Sequence, residues 1–174
     1  MGPLIHARQL RFAPRGRRAG FTLIELLVVV AIVGLAAGIV ALSVGGDERR
    51  VTEREAKRLA GALEHAAAAA QYRAEMLGVS ADGGGYRFWR RGADDRWSAV
   101  TGDDVLAARA LPAGVTVAPV AYAGAPVAPD AILPFRASGR NEPFTLQVAS
   151  TAWSFQIDAD PLNRVRIAAS ADSR

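Results

Sequence analysis

From Phe21 to Val44 the chain reads FTLIELLVVVAIVGLAAGIVALSV, 24 residues with a single charge, Glu25. As a helix rising about 1.5 Å per residue, such a stretch spans roughly 36 Å, enough to cross a hydrocarbon core of about 30 Å. It is too long for the apolar centre of an ordinary secretory signal. Residues 21–44 are therefore predicted to form a transmembrane helix. Arg8, Arg11, Arg15, Arg17 and Arg18 precede it with no acid among residues 1–20. That excess holds the amino side in the cytoplasm and sends the carboxyl domain to the periplasmic side of the inner membrane.

Charge and composition narrow the functions open to the rest. Of 21 Lys and Arg residues, five lie in 1–20, which leaves 16 against 17 Asp and Glu. The body of the protein is near neutral, so the net charge of +4 gives no argument for nucleic acid as a partner. The absence of cysteine excludes disulfides, a thiolate nucleophile and a thiolate metal site. His6 lies in the basic leader and His65 in a predicted helix, with no base, nucleophile or G-x-S-x-G motif to join them. No enzyme, cofactor or metal site is expected.

The best small-residue junction, Ala19-Gly20, precedes the apolar run. Cleavage there would discard the arginines and keep the helix. The segment RRAGFTLIELLVVVAIVGLAA resembles the class III signal of type IV pilins and type II secretion pseudopilins. The resemblance implies that a prepilin peptidase cuts between Gly20 and Phe21 and methylates Phe21. It also implies that Glu25 pairs with the amino terminus of a neighbouring subunit during assembly. A carboxylate inside a membrane costs about 2.5–3.5 kcal/mol at a helix centre and less near the helix end where Glu25 lies, and such residues are usually functional. Gly34 and Gly38 form a G-x-x-x-G pair that could let two such helices approach closely.

Asp47 can cap a second, amphipathic stretch, and Gly45-Gly46 is where the helix would loosen. Val51, Leu59, Leu63, Ala66, Ala70 and Leu77 recur at helical spacing, so a helix is predicted over 45–77. Gly78 and the Asp82-Gly83-Gly84-Gly85 run then end it. Short strands follow: Tyr86–Arg91 paired with Arg96–Val100, then Val115–Val120, Ile132–Phe135, Phe144–Val148, Trp153–Ile157 and one from Val165. Asp103–Leu111 is ambiguous, and Tyr122–Pro129 reads as a loop.

The predicted class is α+β and pilin-like, a long helix packed on an antiparallel β-rich domain. Its divisions are a leader (1–20), a membrane helix (21–44), an amphipathic continuation (45–77) and a periplasmic domain (78–174). The pieces YRFWRRGADDRW, RALPAGVTV, ILPFRASGRNEPFTLQV and FQIDADPLNRVRI resemble the H minor pseudopilins of type II secretion, which share a domain with FimT and FimU minor pilins. The implied partners are the major pseudopilin, other minor pseudopilins, the prepilin peptidase and methyltransferase, and the inner-membrane assembly platform. The alternative is a FimT-like pilin that captures DNA. Arg87, Arg90, Arg91 and Arg96 around Trp89 and Trp97 suit single strands, but read more simply as a hairpin with aromatics inward and arginines solvated. Asp158, Asp160 and Asn163 fall short of the six or more oxygens of a calcium cage and read as a turn, with Asn163 left-handed.

Overall fold

The computed structural model describes residues 22–170; the leader, Phe21 and the last four residues lie outside them, as do the side chains of 39–46 and 170. The order is one helix, α1 (Leu23–Arg73), then ten strands. These are β1 (Leu77–Ala81), β2 (Gly85–Arg91), β3 (Trp97–Ala99), β4 (Arg109–Ala110), β5 (Thr116–Tyr122), β6 (Ala125–Pro126), β7 (Leu133–Phe135), β8 (Phe144–Ala149), β9 (Ser154–Ala159) and β10 (Val165–Ser170). The chain divides into two compact units, Met1–Val40 and Ala41–Arg174.

Thr22 caps α1: its hydroxyl accepts from the Glu25 N–H at 3.3 Å. The expected loosening point, Gly45-Gly46, is helical, and Asp47 is interior to α1 rather than the cap of a new helix. Two glycines cost a helix only about 1 kcal/mol each relative to alanine, which the surrounding turns tolerate. The helix stops at Arg73, short of the predicted Leu77. Ala74 is left-handed, with φ of 54°. The Glu75 N–H donates to the Ala70 carbonyl at 3.0 Å, and that of Ala74 to Gln71 at 3.3 Å. This is a Schellman termination with alanine where glycine is usual. Leu77 and Gly78 therefore open β1, which the helical spacing concealed. Gly78 is a packing glycine: a Cβ there would meet Ile132 Cγ2 at 2.6 Å and the Trp97 ring at 3.1 Å.

Within the second unit the strands form two antiparallel sheets, β3-β2-β1-β7 with β4 on β2, and β10-β9-β8-β5-β6. An isolated bridge between Gly83 and Val117 links them. The hairpins β2–β3 and β8–β9–β10 follow their predicted runs because their apolar residues alternate cleanly. The predicted loop at 122–129 instead contains β6. Ala123 and Gly124, with φ of 52° and 78°, make a two-residue hairpin loop of a kind usually signalled by Asn-Gly. Asp103–Leu111 resolves into an Asp-capped turn and β4.

One core joins α1 to both sheets. From the helix come Ala56, Leu59, Leu63, Ala66 and Ala70; from the sheets Leu77, Val79, Phe88, Val117, Leu146 and Ile157, all buried. Phe135 of β7 and Phe144 of β8 meet edge-to-face at 5.7 Å, tying one sheet to the other. Alanines keep the buried helix face shallow, so there is no room at Ala66 (0% exposed). Ala66→Leu should destabilise the domain by about 1–3 kcal/mol through overpacking, read as a lower urea midpoint with an unchanged slope.

Candidate assembly site

Glu25 is the third residue of α1 and is exposed. Thr22 and Glu25 stand in the Thr-x-x-Glu order of a capping box, and a carboxylate in the first turn is favoured by the helix dipole. The Gly20-Phe21 pair lies outside the described residues. Gly34 and Gly38 lie on α1, and a Cβ at either would meet nothing within 4 Å. On the same helix Leu23 (82% exposed), Ile32 and Leu35 (70%) are bare. Among the described residues no helix is long and apolar enough to cross a membrane.

In the second unit, polar clasps tie α1 to the loops. Glu48 Oε1 accepts the Ala152 N–H at 3.2 Å, and the Arg49 guanidinium lies 4.9 Å over the Trp153 ring. Glu55, buried on α1, receives both Nε and Nη2 of Arg109 at 2.8 and 2.7 Å. That fork holds the Glu55 carboxyl below its ordinary range despite burial. Burial beside the pair raises the Tyr86 phenol. His65, with no catalytic partner nearby in sequence, has its Nε2 3.1 Å from Asp103 Oδ2, and Arg73 Nη2 donates to the same oxygen at 3.1 Å. These contacts lower the Asp103 pKa. Glu55 and Asp103 escaped sequence reading because their partners lie 54 and 38 residues away. The one local signal was a glutamate inside the apolar stripe.

The basic hairpin is built differently from expectation. Tyr86 and Phe88 point inward, while Trp89 and Trp97 are half-buried on the other face. Trp89 Nε1 donates to Ser80 Oγ at 2.8 Å. Arg87 lies 5.4 Å over Trp89 and Arg91 5.9 Å over Trp97. Arg90 and Arg91 also pair with Glu75 and Asp95. One face of each indole is thus met by an arginine of the same hairpin. At the other end, Asp160 accepts from the Leu162 and Arg164 N–H groups and from Arg164 Nε. Asn163 is left-handed at φ 63°, as the turn reading required.

Residues 55–170 match the family model of type II transport protein GspH. The chain belongs to the GspH family. Residues 15–41 match the prokaryotic N-terminal methylation motif, which covers every assembly residue named from the sequence. The type II secretion system protein H of Aeromonas hydrophila is 37% identical over 100 residues, 56% of this chain and 55% of that protein. The match thus spans about half the length of that curated relative. The minor pseudopilin EpsH from the type 2 secretion system of Vibrio cholerae superposes with a TM-score of 0.55 at 20% identity, over 68% of this chain and 97% of that one. The Escherichia coli GspH solution structure superposes at 0.50 with 18% identity, over 75% and 94%. These likenesses establish the pilin-like α+β fold, and the methylation motif in a GspH chain implies inner-membrane anchoring.

The Glu55–Arg109 fork gives this GspH domain an acid-sensitive element. A lowered carboxyl pKa contributes stability that is present above the unfolded value, ordinarily 4.5, and lost as pH falls through the folded one. Glu55→Gln should lower stability at pH 7 by about 2 kcal/mol, less than a fully buried pair because Arg109 keeps some solvent contact. In urea titrations the gap to the wild type should close as pH drops below 4.5. A gap constant from pH 7 to 3 would assign the loss to packing.

Proposed function

We propose that this chain is a minor pseudopilin of the type II secretion system, a structural and non-catalytic subunit of a periplasmic pseudopilus that helps move folded proteins across the outer membrane. The observation that carries the reading is the order of two matches in one chain, a methylation motif at 15–41 followed by a GspH domain at 55–170. The names of the relatives support the same role. On this reading the leader 1–20 is removed between Gly20 and Phe21, Phe21 is methylated, and residues 21–44 anchor the subunit with its carboxyl domain in the periplasm. Partners are the prepilin peptidase and methyltransferase, the assembly platform, the major pseudopilin and other minor pseudopilins. Gly34 and Gly38 supply close helix packing between subunits. The DNA-capture alternative loses support from the hairpin, since stacking on bases needs free aromatic faces and Arg87 and Arg91 each lie over one face of Trp89 and Trp97.

Glu25 tests the assembly role, because its place in the first turn offers a rival explanation. Glutamine serves a capping box as glutamate does but cannot pair as a charge with a neighbour's ammonium. Glu25→Gln and Glu25→Ala should both leave membrane insertion intact and both block incorporation into sheared filaments. Incorporation of the glutamine variant at the wild-type level would reduce Glu25 to a cap. Replacing Gly20 should leave the leader attached, so the subunit runs as the unprocessed precursor on a gel. A mature-sized band would refute the cleavage assignment.

A further inference from the structure

The sheet edges of the second unit differ sharply. Among the described residues, β3 and β7 have three residues each and β4 and β6 two, and β7 and β6 carry Pro134 and Pro126. Short strands and prolines are ordinary ways of closing an edge to further pairing. β10 has neither: it is six residues long, regular, and paired on one side only, to β9. Its side chains carry the core pattern outward beyond the cover of the domain. Leu146, Ile157 and Ile167 stand in one cross-strand row. The first two are buried, while Ile167 is 37% exposed. Val148, Phe155 and Ala169 form the next row, and Ala169 is exposed. On the other face Arg166 lies across from Asp158, whose carboxylate is taken by Thr145 Oγ1 and Gln156 Nε2. Among the described residues Arg166 makes no ion pair, whereas Arg164 is held by Asp160.

We propose that β10 is a docking edge for a second copy of this chain, with the two β10 strands paired antiparallel and Ile167 opposite Ile167. The sequence VRIAAS is self-complementary in that arrangement. Residues directly opposite share a sheet face, so Val165 meets Ala169 and the two Ile167 side chains meet each other on the core side. On the outer side each Arg166 meets Ala168, and no like charges face one another. Pairing removes both open edges and covers Ile167, as an isologous contact does. The proposal does not depend on the filament reading.

The chain has no cysteine, so single-cysteine variants of the full chain in detergent report contacts directly. Ile167→Cys should oxidise to a covalent dimer at least about tenfold faster than Ser98→Cys, an exposed position on the short β3 edge, because pairing raises the local thiol concentration. A mixture of Val165→Cys and Ala169→Cys chains should form the mixed dimer, and Ile167→Lys should abolish that dimer while leaving the circular dichroism spectrum unchanged. Equal rates for Ile167→Cys and Ser98→Cys would overturn the proposal. So would Ile167→Cys dimers without the Val165–Ala169 pair, or a mixed dimer that survives Ile167→Lys.

Discussion

The β-rich domain rests on a helix face made shallow by alanine. Ala56, Ala60, Ala66, Ala67 and Ala70 are buried there, with Leu59 and Leu63 as the only large members between them. Alanine orders no side-chain rotamers and has the best helix propensity, so the face is stiff and flat at once. It leaves most of the large buried side chains, Phe88, Phe135 and Ile157 among them, to come from the strands. The cost of the design is directional: small helix residues specify little about which sheet residue goes where. Position is then set by contacts at the rim, where Glu48, Glu55, His65 and Arg73 of α1 each reach a loop or strand far along the chain.

That division explains what could be read in advance. The apolar run and the alternating strands β2, β5, β8, β9 and β10 are encoded locally, in charge spacing and in period-two burial. The errors fall where a local signal has two meanings. Leu77 continues the helical spacing of Ala70, yet the chain turns at Ala74, an alanine in a left-handed conformation that nothing in the sequence flags. Gly78 reads as a helix stop and is instead a strand residue pressed against Ile132 and Trp97. Ala123-Gly124 closes a hairpin without the asparagine that usually announces one. The ion pairs were illegible for another reason: Glu55–Arg109 and His65–Asp103 join residues that only the folded topology brings together.

The arginine-rich hairpin shows how composition misleads about surface chemistry. Four arginines and two tryptophans in eleven residues, 87–97, suggest a platform for bases. The register places Trp89 and Trp97 on the outer face, where each meets an arginine from its own hairpin. A cation over an indole is worth about 0.5–1 kcal/mol at an exposed site, and base stacking about 1–3 kcal/mol per base. A nucleic acid would have to displace the arginine before it gained the stack, so the net gain per ring is roughly halved.

Glu25 brings the two levels of the structure together. A charged residue in an apolar run is usually explained by a partner, and the proposed assembly pairing would supply one. The cap geometry supplies another reason within the same chain, since Thr22 satisfies the Glu25 N–H and the helix dipole favours the carboxylate by about 0.3–1 kcal/mol. That is less than the penalty of about 2.5–3.5 kcal/mol for a charge at the membrane centre. Glu25 is the third residue of α1, away from any helix centre, so local capping makes the charge tolerable there without giving it a role in assembly. On the proposed function, an ammonium from an adjacent helix would be the charge partner that the cap does not provide.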